Sequence, residues 1–480
     1  MAEARQYFER SIEVARSVGD EEAKAKALQA LGKAFYQQSE YSKAENLYIQ
    51  AHSISSQIGY QLGIAQSVDS LGDVYYMQDQ YSKAEESYIQ ARDIYSQIGY
   101  QLGYAKSVKS LGNLHRMRNE YSKAEKFYIE ARDIYSQIGN QLGVAEATDS
   151  LGDVYRMQDE YSKAEELYIQ ARDIYSQTGS RLGFAQSVKS LGDVYYMQDK
   201  YSKAEESDIQ ARDIDSQIGD QRGFAQSVRS LGDVHRMRSE YPKAEESYIQ
   251  ARDIFSQIGD QLGVAQSVDS LGDVYRMRDD DSRAEESYIQ ARDIYSQIGY
   301  RLGFAQSIKS LGDVFFDRDD YSKAQELYTQ ARDVYSQIGE RLGMAQSINS
   351  LGDVYRMRDE YSKAEESYIQ ARDTYSQVGD QLGSAGSVES LGRVHSARGE
   401  YAKAEESYLE AQQIYRRLGN LRSSANIIWY LGCLRRDQAQ YGEAERLARE
   451  ASTIYGELGL EQDVAECDEF LDEIHSLMGA

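Results

Sequence analysis

The chain has 480 residues, 54 Lys plus Arg against 79 Asp plus Glu, a formal charge of −25, one proline, two cysteines and 41 tyrosines. A surface this negative repels phosphate backbones and anionic lipid, which argues against sequence-independent nucleic-acid binding. One proline is far below the usual ~5% and argues against a string of ordinary turn-rich domains, while 41% hydrophobic residues suffice for a core.

The first residues, Met1-Ala2-Glu3-Ala4-Arg5, lack a basic region followed by an apolar one, so no secretory signal is expected. No run approaches the roughly 18 apolar residues of a membrane span. Cys433 and Cys467 are too few for a disulfide framework. A reducing, cytoplasmic setting is expected.

Residues 1–30 read as an N-terminal partial unit or cap, with a single helical pattern over Met1–Val18. Leu-Gly then recurs at Leu31-Gly32, Leu71-Gly72, Leu111-Gly112 and every 40 residues to Leu431-Gly432, and Leu471-Asp472 is a decayed last copy. The spacing predicts eleven 40-residue helix-pair units over 31–470 and a C-terminal partial unit at 471–480, so that 1–480 is one array. In one unit Tyr81, Ala84, Tyr88, Ala91, Tyr95 and Ile98 are spaced three and four apart, one face of a helix. Gly99 closes that helix as a residue able to take positive φ. The next helix starts near residue 100, where Asp220, Asp260 and Asp380 of equivalent units suit an N-cap. Its apolar positions are Leu102, Ala105, Val108, Leu111 and Leu114, and it fades at Arg118-Asn119-Glu120. Connections this short make neighbouring helices antiparallel. A single pair cannot bury its apolar face, so the pairs stack. Gly32 and its copies lack a side chain on the packed face, which predicts close helix–helix approach there.

These residues resemble the tetratricopeptide repeat family. Leu151-Gly152 is followed by an aromatic three residues after the glycine (Tyr155), then Ala164, Tyr168 and Ala171. The period is 40 rather than 34, and the proline that often closes the family's motif is absent. The 40-residue form, with its Gly-Asp-Gln-Leu-Gly opening (259–263), is similar to the repeats of Pins/LGN-type G-protein signalling modulators and of fungal nucleotide-binding immune-receptor-like proteins. The resemblance implies an all-α, right-handed superhelical solenoid and a scaffold role. It does not imply a partner, because neither the Gα-binding motifs nor a nucleotide-binding domain is present in the sequence.

No nucleotide-binding loop, zinc-protease or hydrolase motif occurs, and no enzyme, cofactor, metal or small-molecule substrate is expected. His115, His235 and His395 share a column with Tyr75 and Tyr155 and read as aromatic packing substitutes. Glu85-Glu86 and its copies read as a solvated face. Seven of the ten methionines, Met77 through Met357, share a column that reads as packing, with a soft rim to a groove as the alternative.

The chain supplies its own copies for comparison. Core columns barely change between units. One first-helix column changes freely: Asp69, Lys109, Asp149, Lys189, Arg229, Asp269, Lys309, Asn349, Glu389. A second carries Asp73, Asp153, Asp193, Asp233, Asp273, Asp313 and Asp353. A third carries Tyr76, Arg116, Arg156, Tyr196, Arg236, Arg276, Phe316 and Arg356. Offsets of four and three put all three on one helix face, which in the family lines the concave groove. From Asp69 to Met357 the columns hold four basic and three acidic residues, seven aspartates and five arginines, a net −1. A groove so balanced is expected to bind an extended peptide or partner surface of mixed charge, the arginines pairing with carboxylates or stacking on aromatics. The alternative is a sensor or oligomerisation region of a larger switch protein. A monomer is favoured.

One stretch breaks the pattern. Asp208 and Asp215 stand where other units have tyrosine, and Arg222 where they have leucine. Burying a carboxylate is costly, so residues 201–222 are expected to be a soft joint in which the helix opens or the aspartates rotate to water.

Overall fold

The computed structural model describes residues 2–38, 40–78, 80–458 and 460–479. Met1 and Ala480, the extremes of the two predicted partial units, lie outside the described residues. Among the described residues the chain forms 24 α-helices and no strand. Helix α1 (Ala2–Val18) comes first. Then follow α2 (Glu21–Tyr36), α3 (Tyr41–Gln57), α4 (Gln61–Met77), α5 (Tyr81–Gln97), α6 (Gln101–Met117), α7 (Tyr121–Gln137), α8 (Gln141–Met157), α9 (Tyr161–Thr178), α10 (Arg181–Met197), α11 (Tyr201–Ile218) and α12 (Gln221–Met237). The second half holds α13 (Tyr241–Gln257), α14 (Gln261–Arg276), α15 (Asp281–Gln297), α16 (Arg301–Asp317), α17 (Tyr321–Ile338), α18 (Arg341–Met357), α19 (Tyr361–Val378), α20 (Gln381–Ala397), α21 (Tyr401–Arg417), α22 (Leu421–Asp437), α23 (Tyr441–Glu457) and α24 (Glu461–Gly479). The even-numbered helices carry Leu-Gly and are first helices; the odd-numbered ones are second helices. The Leu-Gly frame of the sequence therefore cuts each first helix in its middle.

The chain divides into two compact units, Met1–Glu240 and Tyr241–Ala480. Within each, every helix packs on the next in antiparallel succession, an all-α repeat solenoid. First helices also touch across neighbouring repeats, α4 on α6 and α6 on α8 in one unit, α16 on α18 and α18 on α20 in the other. No second helix is in comparable contact with the next second helix among the described residues. The first-helix face is thus the inner side of each stack.

The turns follow from local chemistry. Among the described residues, turns after second helices have glycine at positive φ, as at Gly99 (φ 70°), and turns after first helices mostly use Asn or Asp, as at Asn119 (φ 58°) and Asp159 (φ 59°), residues that tolerate this region, with Ser239, Gly399 and Ala439 the exceptions. Asp260 and Asp380 cap the helices that follow them, accepting from the Gly263 and Gly383 amides at 3.1 and 2.9 Å.

Two tyrosine rungs per repeat organise the core. Tyr88 and Tyr95 are 2% and 3% exposed on α5. A Cβ on Gly72 would lie 2.6 Å from the Tyr88 ring, and one on Gly103 would lie 2.6 Å from the Tyr95 ring. Tyr88 thus seats on the first helix of its own pair and Tyr95 on the first helix of the next. The close approach predicted at Gly32 is made by a tyrosine ring. Burial of rings this size dominates the core energetics. Ile98, predicted on the same face, lies past the end of α5 and is 38% exposed.

Candidate functional site

The three variable columns all lie on the inner, first-helix face and are half-buried. Their geometry starts from the tyrosine rungs. With its ring on Gly72, Tyr88 reaches the inner face and its hydroxyl donates to Asp73 Oδ1 at 2.8 Å. Tyr168 donates to Asp153 (2.8 Å), Tyr288 to Asp273 (2.7 Å), Tyr328 to Asp313 (2.8 Å) and Tyr368 to Asp353 (2.7 Å). Asn113 takes the same role for Tyr128. The acidic column is therefore anchored from behind by the core.

A second bond joins neighbouring repeats. Ser107 donates to Asp69 at 2.6 Å, Ser187 to Asp149 at 2.7 Å and Ser307 to Asp269 at 2.7 Å. Burial pushes the carboxyls of Asp69, Asp149 and Asp269 up to about 7, with like charge from Asp73, Asp153 and Asp273 adding to it. Burial also raises Asp73 to about 6, against the Tyr88 hydrogen bond and nearby Lys106 and Lys109.

The basic residues bind their own neighbours. Arg116 donates to Asp153 of the next repeat at 3.1 Å. Arg156 lies 3.8 Å from Asp153 and donates to the Tyr168 hydroxyl at 3.4 Å. Lys189 reaches Asp193 at 2.6 Å, Lys309 reaches Asp313 at 3.1 Å, and Arg229 lies 3.9 Å from Asp233. Arg276 lies 3.3 Å from Asp317, and Arg356 lies 3.8 Å from Asp353. Arg236 continues the same column on α12. The Nε atoms of Arg116, Arg276 and Arg356 are buried without a hydrogen-bond partner among the described residues. The guanidinium groups are thus held at fixed heights above the first helices while part of their donor capacity is unspent.

The methionine column does not pack into the core. Met77, Met117, Met157, Met197, Met237, Met277 and Met357 are 43–52% exposed at the ends of their first helices. His115 is buried, stacks on Phe127 and hydrogen-bonds Glu120 at 2.8 Å. Among the described residues no group of three or more His, Cys, Asp or Glu is placed to hold a metal ion, and no helix is long and apolar enough to cross a membrane.

The α11 defect departs from expectation. The helix runs unbroken through Tyr201–Ile218, with Asp208 and Asp215 2% and 4% exposed, so in the folded chain the aspartates are not rotated to water. Burial raises the Asp208 carboxyl well above the ordinary range, and a neutral acid is far less costly to bury than a carboxylate; Asp215, raised to about 6 by burial, is relieved in this way only as pH falls. Arg222 costs little because its column is a rim position, where Leu142 and Leu182 are 43% and 46% exposed.

A family model described as tetratricopeptide repeat matches residues 1–57, 62–137, 111–177, 143–217, 223–297, 304–377 and 384–457. The chain belongs to the tetratricopeptide repeat family. Repeats of this family mediate protein–protein interaction and are typically non-catalytic. Among solved structures, the chain is similar to a STAND signal-transduction ATPase with a tetratricopeptide repeat sensor from Pyrococcus horikoshii (14% identity, TM-score 0.50, 72% of this chain and 55% of that one). It is also similar to aspartyl phosphate phosphatase F from Bacillus subtilis (12%, 0.50, 72% and 91%). A Rap protein complexed with competence and sporulation factor is a third (16%, 0.45, 70% and 99%). At these identities the likeness is one of fold. No curated protein matches the sequence.

Two features of this tetratricopeptide array escaped the sequence reading. Glu85 is not merely solvated: Arg118 of the next first helix donates to it at 2.5 Å, and Arg238–Glu205, Arg278–Glu245 and Arg318–Glu285 repeat the clasp. The signal was an arginine 33 residues after a constant glutamate. The other is a sign reversal at Arg393, which ends the acidic column.

Proposed function

We propose that the chain is a non-enzymatic scaffold whose first-helix groove binds an extended peptide or surface of a protein partner. The observation that carries this reading is the contrast on one face. The tyrosine rungs behind it are nearly invariant and hold the aspartates at 2.7–2.8 Å, while of the columns beside them one changes sign between repeats (Asp69, Lys109, Asp149) and the other switches between aromatic residues and arginine (Tyr76, Arg116, Tyr196). A rigid frame carrying variable, half-buried charges is how a repeat array acquires specificity for one partner. The candidate contacts are Asp73, Arg116, Asp153, Arg156, Lys189, Asp193, Arg229, Asp233, Arg236, Asp273, Arg276, Asp313, Asp353 and Arg356.

The test is identification of partners by pull-down and mass spectrometry, followed by Arg156→Gln, Arg236→Gln and Arg276→Gln together. Glutamine avoids placing a new carboxylate beside Asp153. Each fully desolvated pair removed costs about 2–5 kcal/mol and each rim pair about 0–1 kcal/mol. Weakened binding with an unchanged helical signal supports the reading, and full binding by the triple variant makes the column ordinary surface.

A second reading is the sensor region of a larger switch protein. It is favoured by the likeness to the P. horikoshii protein, which carries a tetratricopeptide repeat sensor. A nucleotide-binding domain in the same reading frame would select it.

A further inference from the structure

The acidic column ends at α18. In α20 the equivalent of Asp353 is Arg393, and in α22 it is Cys433. Tyr408, however, keeps the old geometry. It is 2% exposed, and its ring seats on Gly392 as Tyr368 seats on Gly352. Its hydroxyl therefore arrives where Tyr368 finds the Asp353 carboxylate at 2.7 Å, and meets an arginine, which has no acceptor to offer. Tyr408 has no acceptor among the described residues. Arg393 likewise forms no hydrogen bond or ion pair among them; its guanidinium lies over the Tyr430 ring, 5.5 Å from the centroid.

Space has been opened at the same place. Ser396 stands where Arg356 or Phe316 stands in earlier repeats, and Ala397 where Met357 stands. The result is a pocket of about 430 Å3 lined by Arg356, Tyr361, Arg393, Tyr408, Tyr430 and Cys433. Tyr430 stands where the repeats from Ser70 to Ser390 have serine, and it stacks on Tyr408 at 5.6 Å, giving the pocket an aromatic floor. Arg356 contributes a second guanidinium, whose Nε has no partner. The acidic residue on the wall, Asp359, already accepts the Tyr361 hydroxyl at 2.6 Å. Burial pushes the Cys433 thiol up to about 11, so it carries no charge at neutral pH. The pocket therefore gathers two arginines and the Tyr408 hydroxyl, with Asp353 3.8 Å from Arg356 and the Asp359 carboxylate and Ser396 hydroxyl on the wall.

We propose that this pocket takes one carboxylate side chain of an acidic segment on the protein partner, which supplies the acceptor that Asp353 and its equivalents supply in earlier repeats. The carboxylate sits between Arg356 and Arg393 and accepts the Tyr408 hydroxyl. Charge-assisted bonds from a guanidinium fork are the strong class of hydrogen bond, and partial burial keeps them from being screened away. The inference rests on the groove reading above and fixes one point of it: in the second unit the partner's acid is received at Arg393 on α20, whereas Asp273, Asp313 and Asp353 on α14, α16 and α18 are acids of the chain's own.

The test uses the full chain and a fluorescein-labelled peptide, Gly-Ser-Glu-Glu-Ser-Gly, in an anisotropy titration at constant ionic strength, with the glutamine version of the peptide and inorganic phosphate as comparisons. Arg393→Asp restores the rule of the other repeats and returns an acceptor to Tyr408, so its melting midpoint should equal or exceed that of the parent. It should nevertheless bind the glutamate peptide at least about tenfold more weakly, the loss of a charged hydrogen bond. Arg393→Gln, which keeps a donor and loses the charge, should weaken binding as well. Arg332→Gln, on second helix α17 and away from the groove columns, where Arg332 pairs with Asp333 alone among the described residues, should bind the peptide as the parent does. Equal binding by parent and Arg393→Asp overturns the proposal. So does equal affinity for the glutamine peptide, or equal weakening by Arg332→Gln, which would mean diffuse attraction. Displacement by phosphate at the peptide's own concentration would assign the pocket to free anions and overturn it too. None of these readouts uses the natural partner, so this pocket and the groove reading fail separately.

Discussion

Helices α9 and α11 are the same element built with and without its tyrosines. Both run 18 residues, Tyr161–Thr178 and Tyr201–Ile218, and both bury the same four positions. In α9 these are Ala164, Tyr168, Ala171 and Tyr175; in α11 they are Ala204, Asp208, Ala211 and Asp215. The Tyr168 ring fills the space over Gly152, and its hydroxyl anchors Asp153. In α11, Asp208 reaches toward Gly192 with one carboxyl oxygen, which has no hydrogen-bond partner. Asp193, without a tyrosine behind it, accepts instead from Lys189 at 2.6 Å. The difference teaches that helix and register are held by the neighbouring pairs on either side, as nearest-neighbour coupling in an array allows. What the rung supplies is local stability and a fixed groove position.

Moving the defect should have the largest effect. Tyr168→Asp with Tyr175→Asp copies α11 into α9 and leaves two adjacent repeats without rungs. Each lost ring costs about 3–5 kcal/mol by the large-to-small core rule. Helix content measured by circular dichroism should then fall in two steps on heating, with the segment around 161–222 melting first.

Repair should be the next largest. Asp208→Tyr with Asp215→Tyr should stabilise the array by roughly 1–3 kcal/mol per site, read as a higher denaturant midpoint. Gly192 and Gly223 are already in place to receive the rings.

Acidity should act in the same direction, more weakly. Asp69, Asp149 and Asp269 (about 7) and Asp215 (about 6) have folded-state values raised above the unfolded 3.8. A raised group contributes stability that is fully present in acid and is lost as pH rises through its folded value. The melting midpoint should therefore rise as pH falls from about 8 to about 6, and relief of self-repulsion in a −25 chain adds to this. Asp215→Asn should flatten part of that slope. Exposed glutamates such as Glu120 and Glu360, lowered by hydrogen bonds from Lys123 and Lys363, oppose the trend only at lower pH.

The smallest effect belongs to the surface clasp. Arg118→Gln breaks the bond to Glu85 and should cost no more than about 1 kcal/mol, barely moving the midpoint.

Much of this was legible because the chain repeats itself. Spacings of three and four placed α5 and α6 to within a residue, and Gly99 marked the turn. The inner columns stood out as the positions that vary. The partners of those columns were not legible, because they depend on reach in three dimensions: Tyr88 meets Asp73 fifteen residues away only once Gly72 lets its ring lie flat. Hydrophobicity also misled at Met77, which packs poorly because it sits on the last turn of its helix, and at Ile98, which lies just past a helix end. The fate of Asp208 depends on its protonation state, which composition does not reveal.

Hydrogen exchange by mass spectrometry tests the central claim most directly, because it reads local opening in each helix of the native chain. The account predicts that backbone amides of α11 exchange measurably faster than the equivalent amides of α9, and that Asp208→Tyr with Asp215→Tyr removes the difference. Equal protection of α9 and α11 in the parent chain would contradict it.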